Sequence, residues 1–273
     1  MNKPYFSKPN FTLYLGDSLK VLKEFDDKSI DVIFADPPYF LSSGGISCHS
    51  GKQVSVNKGD WDKSITIEEK LEFNKSWIRE CKRILKDNGT IWISGTLHNI
   101  YTIGVALELE GYSIINNITW EKPNPAPNLA CRCFTHSTET ILWARKIIKG
   151  NKKGNHYFNY RLMKEINDSK QMKDVWKINL PKKEEKSCGK HPTQKPIDLL
   201  DRIILSSTKV GDLVLDPFCG SSTTGISCKR LNRRFIGIDT EKDYLDLSIK
   251  RYKELENNKK DKEVINKKEL VLA

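Results

Sequence analysis

The sequence predicts an α/β fold built on a mostly parallel sheet. Short apolar runs alternate with amphipathic helical patterns along most of the chain, and parallel strands connected by helices produce this order. The run 30–35 is nearly continuous in apolar side chains, which is typical of a strand that is buried on both faces. With 273 residues, the chain is also long enough to bury a large core.

Each predicted element rests on a local pattern. Thr66 and Glu69 form a capping-box pattern that starts a helix, and Gly89 is the expected stop signal after it. Apolar runs predict seven strands, at 11–15, 30–35, 90–94, 112–120, 138–144, 213–215 and 235–238. The fourth and fifth of these strands are expected to pair. Further helical patterns lie between the third and fourth strands, before the sixth, between the sixth and seventh, and after the seventh.

The chain carries a formal charge of +11, and most of the excess lies in one segment. Residues 145–195 contain 15 Lys or Arg and 5 Asp or Glu, a net charge of +10. Aromatic side chains at 156–160 lie among these cations in the sequence, and aromatics interleaved with cations suit contact with phosphates and stacking on bases. The pattern favours a polyanionic partner, and a solvated lysine-rich insertion is the alternative interpretation.

Composition excludes several classes of protein. No apolar run approaches the roughly 18 residues of a membrane span, and the apolar stretch of a secretion signal does not follow Met1. Seven cysteines without framework spacing argue against a disulfide scaffold, so we expect a reducing cytoplasm. Cys131, Cys133 and His136 do not have the spacing of paired zinc ligands, and we expect no metal.

The first motif that carries chemistry is Asp36-Pro37-Pro38-Tyr39, which directly follows the buried run 30–35. Ligands of open α/β sheets bind beyond the carboxyl ends of the strands, so an acid here is placed at a site. The prolines stiffen the turn, and a carboxylate with a neighbouring carbonyl can accept two hydrogen bonds from an amino group on a planar ring. Tyr39 offers a flat face for stacking. An ordinary proline-rich turn is the alternative.

The second motif is the turn Asp216-Pro217-Phe218-Cys219-Gly220-Ser221-Ser222-Thr223, which follows the run 213–215. Small residues between a strand and a helix let the backbone approach a ligand closely. Asp239 ends the next predicted strand, where an acid accepts hydrogen bonds from ribose hydroxyls. No phosphate-binding lysine follows the turn, so a P-loop is disfavoured.

Together these motifs resemble the amino-methyltransferases of DNA. The resemblance rests on the tetrapeptide at 36–39, the Phe-x-Gly turn at 218–220 and the hexapeptide His-Pro-Thr-Gln-Lys-Pro at 191–196, and it extends to about residue 250. Because the tetrapeptide precedes the turn, the motif order is the circularly permuted order of the β group. Adenine methyltransferases of restriction-modification systems, which act at GATC, are similar in detail at 40–42, 58–62, 124–128 and 171–176.

The resemblance implies a Rossmann-like, S-adenosylmethionine-dependent methyltransferase. Its catalytic residues are Asp36, Pro37, Pro38 and Tyr39. Asp36 and the carbonyl of Pro37 accept hydrogen bonds from the target amine, and Tyr39 stacks on the flipped base. The implied reaction is direct methyl transfer to N6 of adenine in DNA, without a covalent enzyme intermediate.

The resemblance also implies a binding site for the cofactor. Asp17 meets its adenine, Asp239 holds its ribose, and Thr193 and Lys195 lie near its carboxylate. The family usually has glycine where this chain has Ser222, so the serine is expected to cap the following helix and to crowd the cofactor. The full set of expected cofactor-binding residues is Asp17, Thr193, Lys195, Asp216, Phe218, Cys219, Gly220, Ser222, Thr223 and Asp239.

Finally, the resemblance implies a division of the chain into segments with different roles. Residues 1–146 form a catalytic half, 147–190 a basic target-recognition region, 191–255 the cofactor-binding half of the same domain and 256–273 a charged tail. DNA is expected to contact mainly residues 147–190 and the loop 41–62. Within that loop, 42–58 is expected to close over DNA after the base enters, and an ordinary surface loop is the alternative. Homodimer formation is left open.

Three other functions stay open. N4-cytosine methylation is the nearest, and Asp rather than Ser at position 36 argues against it. Methylation of a protein glutamine or of RNA is the second. Asn at position 36 would favour glutamine, and this chain has Asp there. The third is a DNA-binding module that has lost its cofactor. The reason to consider it is Ser222, which stands where the family usually has glycine.

Overall fold

The centre of the fold is a nine-stranded mixed sheet with helices on both faces. The computed structural model describes residues 3–40, 46–49, 52–55, 65–150 and 154–257. In chain order the strands are β1 (Phe6–Lys8), β2 (Phe11–Leu15), β3 (Ile30–Ala35), β4 (Ile46–His49), β5 (Lys52–Ser55), β6 (Leu85–Gly95), β7 (Tyr112–Glu121), β8 (Thr138–Lys146), β9 (Val175–Lys177), β10 (Leu213–Asp216) and β11 (Arg234–Asp239). The helices are α1 (Ser18–Leu22), α2 (Ile67–Ile84), α3 (Ile100–Leu109), α4 (Tyr160–Glu165), α5 (Ile197–Ser207), α6 (Thr223–Arg230) and α7 (Lys242–Asn257), and a short 3-10 helix spans Glu184–Lys186.

Most strands of the large sheet run in the same direction. The strand order is β1-β2-β11-β10-β3-β6-β8-β7-β9. The five strands from β2 to β6 in this order are parallel, and β7 and β9 share their direction because β8 is antiparallel to both of its neighbours. Of the described strands in this sheet, β1 and β8 run the other way, so the prediction of a mostly parallel sheet is confirmed. The strands β4 and β5 form a separate antiparallel pair.

Strands from the N-terminal and C-terminal parts of the sequence are neighbours in this sheet. Strand β2 pairs with β11, and Leu15 lies opposite Asp239. Strand β10 pairs with β3, and Val214 lies opposite Val32. The carboxyl ends of four adjacent strands therefore meet at one edge, as the permuted motif order predicts. In open α/β sheets this edge is where ligands bind.

Each face of the sheet has its own apolar cluster. One cluster contains Trp92 and Trp143, whose rings stack at 4.6 Å between centroids, and α5, α6 and α7 cover it. The other contains Ile33 and Trp77 and is covered by α1, α2 and α3. Successive residues of a strand point to opposite faces, so Ile33 and Phe34 enter different clusters. Burying each large apolar side chain contributes about 1.5–3 kcal/mol.

Helix α2 begins where predicted and ends earlier than predicted. The Thr66 hydroxyl accepts from the Glu69 amide, and the Glu69 carboxylate accepts from the Thr66 amide, which completes the capping box. The expected stop at Gly89 is wrong, because the chain is already extended at Leu85 and Gly89 lies inside β6. Pairing of the fully buried Leu85 with β3 decides this boundary. Glycine fits at 89 because a Cβ there would lie 2.7 Å from the carbonyl oxygen of Asp31.

The basic segment 147–190 is partly built into the sheet. Strand β9 extends the sheet beside β7, and the indole of Trp176 is buried in the main core. The Trp120 Nε1 donates to the carbonyl oxygen of Ile178 over 2.8 Å, which ties the next residues to β7 as well. The sequence predicts no strand here because three residues are too few to show a period. Lysines of the same segment, such as Lys170 and Lys173, remain exposed.

Two predicted regions lie partly outside the described residues. Of the loop 41–62, the structure describes only β4 and β5. The charged tail 256–273 is described as far as residue 257. Within the described ranges, no helix is both long enough and apolar enough to cross a membrane.

Candidate active site

A cavity of about 230 Å³ opens at the edge where β2, β11, β10 and β3 end. Its walls are formed by the residues that follow these strands, by the segment that precedes α5 and by side chains of α2 and α7. Because β10 lies between β11 and β3, Asp216 separates Asp239 on one side from Asp36 on the other. The chemistry-bearing residues of the two sequence motifs are thus brought to one place by strand order.

The Asp36 carboxylate is held by three donors. Its Oδ2 accepts from Lys195 Nζ at 2.5 Å. Its Oδ1 accepts from the Ser94 hydroxyl at 2.5 Å and from the Tyr39 hydroxyl at 2.7 Å. Lys195 also donates to the Tyr39 oxygen at 2.8 Å, which closes the network. A carboxylate offers about four acceptor positions, so one position remains for an incoming amino group.

The other residues of the tetrapeptide surround this carboxylate. Pro38 lines the cavity, and its carbonyl oxygen accepts from Asn99 Nδ2 at 3.2 Å. Pro37 is buried and precedes it in the turn. Tyr39 is 6% exposed, and its ring does not form part of the cavity wall. In this arrangement the predicted stacking face of the ring is covered.

A second carboxylate lies beside Lys195. Glu139 is the second residue of β8, and its Oε2 is 3.6 Å from Lys195 Nζ. Strand β8 is antiparallel to β6, so its first residues lie at the same edge as the end of β3. Burial by itself lowers the pKa of Lys195, but the carboxylates of Asp36 and Glu139 outweigh burial and raise that pKa above its ordinary value. Lys195 is therefore charged at neutral pH.

Backbone amides hold the Asp239 carboxylate, and one of them belongs to the turn after β10. The Gly220 amide donates to Asp239 Oδ2 at 2.7 Å, and the Glu241 amide donates to Oδ1 at 2.8 Å. Gly220 has a φ of +50°, and a Cβ there would lie 2.8 Å from His191 Nε2. Both constraints favour glycine at this position. Burial raises the pKa of Asp239 to about 6.

Asp216 ends β10 and is buried in the cavity wall. Its Oδ2 accepts from the Thr224 hydroxyl at 2.6 Å, and its Oδ1 accepts from the Phe218 amide at 3.1 Å. Burial outweighs these hydrogen bonds and raises the pKa of Asp216 to about 7. Its charge therefore changes near neutral pH.

Most of the expected cofactor-binding residues line this cavity. Asp17 also caps α1, since its Oδ1 accepts from the Leu19 amide at 2.9 Å. The sequence places Lys195 near the carboxylate of a cofactor, whereas in the structure its ammonium contacts Asp36. The expected residues found in the wall are Asp17, Thr193, Lys195, Asp216, Phe218, Cys219, Gly220, Thr223 and Asp239.

Ser222 departs from both expectations. It is fully buried and is not part of the cavity wall, so its Cβ does not crowd the cavity. It occupies the N-cap position of α6, but its side chain makes no capping hydrogen bond. Its φ of +54° lies in the left-handed region, which glycine adopts without steric cost. Glycine would suit the backbone conformation of this position better than serine does.

Sequence reasoning missed several residues that tertiary structure brings to the site. Ser94 is the next-to-last residue of β6, and the strand-end rule that singled out Asp36 also applies to it. Glu139 is detectable only when the antiparallel pairing of β8 is known. Trp77 is fully buried, as expected of a core residue, and it also forms cavity wall by packing at 5.4 Å on the ring of Phe218.

The sheet and the cavity at its carboxyl edge define a Rossmann-like methyltransferase. The chain belongs to the N6/N4 DNA methylase family, which matches residues 30–250. It is 64% identical over 251 residues to the type II methyltransferase M2.DpnII of Streptococcus pneumoniae, with 92% of each chain covered. It is 62% identical over 251 residues to M2.LlaDCHI of Lactococcus lactis subsp. cremoris, again with 92% of each chain covered. The crystal structure of the M1.HpyAVI–SAM complex is similar, with a TM-score of 0.66 and 30% identity over 89% of this chain and 98% of that chain. The resemblance inferred from the motifs is confirmed, and the chain is a DNA methyltransferase.

Proposed function

We propose that this protein transfers a methyl group from S-adenosylmethionine to N6 of adenine in DNA. The observation that carries the proposal is the position of Asp36 at the end of β3, beside a cavity whose wall also holds Asp216 and Asp239. Strands β3 and β10 are neighbours, so a base at one strand end and a cofactor at the other are adjacent. The tetrapeptide 36–39 then acts on the base, and the turn after β10 acts on the cofactor.

The charge of the cavity fits this cofactor. S-adenosylmethionine carries a sulfonium, an ammonium and a carboxylate, a net charge of +1, and opposite charges attract strongly where water is excluded. The wall supplies the carboxylates of Asp17, Asp36, Asp216, Asp239 and Glu241. We assign Asp239 to the ribose hydroxyls and Asp17 to the adenine. When bound, the cofactor supplies an electrophilic methyl group on its sulfur.

Asp36 and the Pro37 carbonyl orient the target amine. The nitrogen lone pair of an exocyclic amine is delocalised into the ring, which makes the amine a weak nucleophile. Hydrogen bonds from both N–H groups to these two acceptors favour a more tetrahedral nitrogen with an available lone pair. Ser94 and Lys195 already fix the two oxygens of Asp36, so the acceptor needs little reorganisation during transfer.

Adenine is favoured over cytosine because residue 36 is Asp rather than Ser. We propose GATC as the recognition sequence and a restriction-modification system as the setting. The detailed similarity to methyltransferases of that kind at 40–42, 58–62, 124–128 and 171–176 supports both. The relatives M2.DpnII and M2.LlaDCHI are themselves named type II methyltransferases.

The basic segment 147–190 is the proposed main contact with DNA. Its exposed lysines offer charge to phosphates, while Trp176 fixes the segment to the sheet. We propose the loop 41–62 as a second contact. The halves 1–146 and 191–255 then hold base and cofactor, and the tail 256–273 has no role in the chemistry. We propose that the protein acts in the cytoplasm. A monomer that methylates the two strands of GATC in turn and a homodimer are both compatible with the proposal.

The test is to identify the methylated nucleoside. The protein is incubated with methyl-labelled S-adenosylmethionine and with two duplexes that differ only in GATC against GTAC. After digestion to nucleosides, mass spectrometry is expected to find labelled N6-methyladenine from the GATC duplex alone. Labelled N4-methylcytosine would instead select the cytosine alternative, and no labelled nucleoside at all would overturn the proposal.

A matched variant separates binding from transfer. Asp36→Asn keeps the shape of the side chain but removes its charge and one acceptor. We expect the labelled product to disappear while calorimetry shows unchanged binding of S-adenosylmethionine. Retained turnover in this variant would remove Asp36 from its assigned role.

A further inference from the structure

We infer that Glu139 is a positioning residue for methyl transfer, which acts through Lys195 on Asp36 and the target amine. The inference rests on the proposed function. Glu139 lies outside both sequence motifs, and it reaches the site because β8 pairs with β6.

Four charged groups alternate in sign away from the base-binding turn. Asp36 Oδ2 is 2.5 Å from Lys195 Nζ, which is 3.6 Å from Glu139 Oε2. Lys122 Nζ donates to the other Glu139 oxygen at 2.9 Å. The inner three side chains are well covered, with exposed fractions of 15% for Asp36, 7% for Lys195 and 13% for Glu139. Their charges are therefore only weakly screened by water.

The charge balance gives Glu139 its role. During transfer the carbon–sulfur bond breaks and a nitrogen–carbon bond forms, so the sulfonium becomes a neutral thioether and the amine nitrogen becomes positive. That nitrogen then releases a proton to solvent. Asp36 and Lys195 alone sum to zero, and an ammonium beside the growing positive charge opposes it. With Glu139 and Lys122 the four groups again sum to zero, whereas loss of the Glu139 charge alone leaves a net +1 beside the growing positive charge, which opposes transfer.

The contact with Tyr39 adds a second reason. The Tyr39 hydroxyl lies 2.7 Å from Asp36 Oδ1 and 3.5 Å from Glu139 Oε2, and it accepts from Lys195. Were stacking on a base to draw the Tyr39 hydroxyl away, Lys195 would lose that acceptor. Glu139 then remains as the second partner of the ammonium. Because the ammonium is shared between two carboxylates, it neutralises Asp36 less completely, which preserves the acceptor strength of that carboxylate.

The test replaces Glu139 by its uncharged isostere. For E139Q we expect the single-turnover rate of adenine methylation at saturating substrates to fall by about tenfold or more. Binding of S-adenosylmethionine and of DNA is expected to stay within about twofold of the wild type, since the residue acts on the transition state. E139D restores the charge and is expected to recover part of the lost rate.

Glu110 provides the matched control. Its side chain is 11% exposed and is paired with Arg79, but it lies before β7 at the opposite edge of the sheet. E110Q is expected to keep the wild-type rate. An E139Q rate within twofold of the wild type, equal losses in E139Q and E110Q, or loss of rate only in step with substrate binding would each overturn the inference. Wild-type protein is assayed in parallel, and if it makes no N6-methyladenine the proposed function fails together with this inference.

Discussion

The ammonium of Lys195 lies 2.5 Å from Oδ2 of Asp36, although the two residues are 159 positions apart in the chain. Both side chains are largely shielded from water, with exposed fractions of 7% and 15%. Breaking a buried ion pair by removing one partner leaves an uncompensated charge, which is costly. This pair therefore couples the turn 36–39 to the segment before α5.

Removing Lys195 is expected to destabilise the fold. K195M leaves the carboxylates of Asp36 and Glu139 without their shared cation, and we expect the free energy of unfolding to fall by about 3 kcal/mol. The double variant D36N/K195M is expected to lose less than the sum of the two single variants, because the residues share one network. Urea denaturation at pH 7 measures all three. The exposed pair Lys182–Asp198 supplies the control K182M, for which we expect a change below about 0.5 kcal/mol.

The buried Asp216 is expected to make stability depend on pH. Its pKa is about 7 in the folded protein against an ordinary value of 3.8, so the folded state binds this proton more tightly than the unfolded state. The stabilisation is fully present below pH 4 and is lost as pH rises towards 7. D216N mimics the protonated form, so its stability relative to wild type should rise by up to about 1.4 kcal/mol per pH unit over this window.

Thermal unfolding of wild type and D216N between pH 4.5 and 8.5 is the measurement. Asp239, with a pKa of about 6, contributes in the same direction, so the variant retains a smaller dependence. The exposed Asp198 offers the control D198N, which should follow the wild-type curve. Parallel curves for wild type and D216N would contradict the prediction.

Ser222 holds a backbone conformation that suits glycine, and S222G is expected to stabilise the protein. A residue with a side chain in the left-handed region costs about 1–2 kcal/mol, partly offset by the greater freedom of glycine in the unfolded chain. We expect a net gain of about 0.5–1 kcal/mol in thermal or urea denaturation. S221G is the control, because the hydroxyl of Ser221 accepts from Arg251 at 3.1 Å, and this variant should be less stable than wild type. A loss of stability in S222G would refute the explanation by backbone conformation.

The exposed lysines of the basic segment are expected to set the salt dependence of DNA binding. Each lysine that neutralises a phosphate contributes about one unit to the slope of log K against log salt concentration. K170Q and K173Q are each expected to reduce this slope and to weaken binding to all duplexes alike. Lys28 lies before β3 at the opposite edge of the sheet from Asp36, so K28Q should leave the slope unchanged. Titrations at several salt concentrations distinguish these outcomes, and unchanged slopes for both segment variants would move the DNA contact elsewhere.

The strands that carry the site are predictable from local pattern. The runs at 30–35 and 213–215 are apolar because helices cover both faces of the sheet, so sequence alone locates Asp36 and Asp216 at strand ends. Short elements such as β1 and β9 escape notice because their existence depends on pairing with a neighbour. The early end of α2 escapes for the same reason, since the pairing of Leu85 overrides a plausible glycine stop.

The connections within the site are harder to predict than its members. The motif around Lys195 indicates that it lies near the cavity, but only the folded chain shows that its ammonium contacts Asp36. Glu139 carries no motif, and its position follows from the direction of one strand. Ser222 is singled out by the sequence, but the expected capping hydrogen bond is not formed, and its distinguishing feature is its backbone conformation. Its φ is a property of the turn that composition does not reveal.

Strand β9 has a consequence for attempts to change the recognition sequence by exchanging segments between relatives. Because Trp176 fills the core and β9 completes the edge of the sheet, an exchange that replaces 147–190 also replaces part of the scaffold. A transplanted segment must therefore supply a tryptophan that fills the position of Trp176 and a strand that pairs with β7 in the same register. Hybrids with junctions on either side of β9 that keep 174–178 from the host should fold, whereas those that cut through it should not.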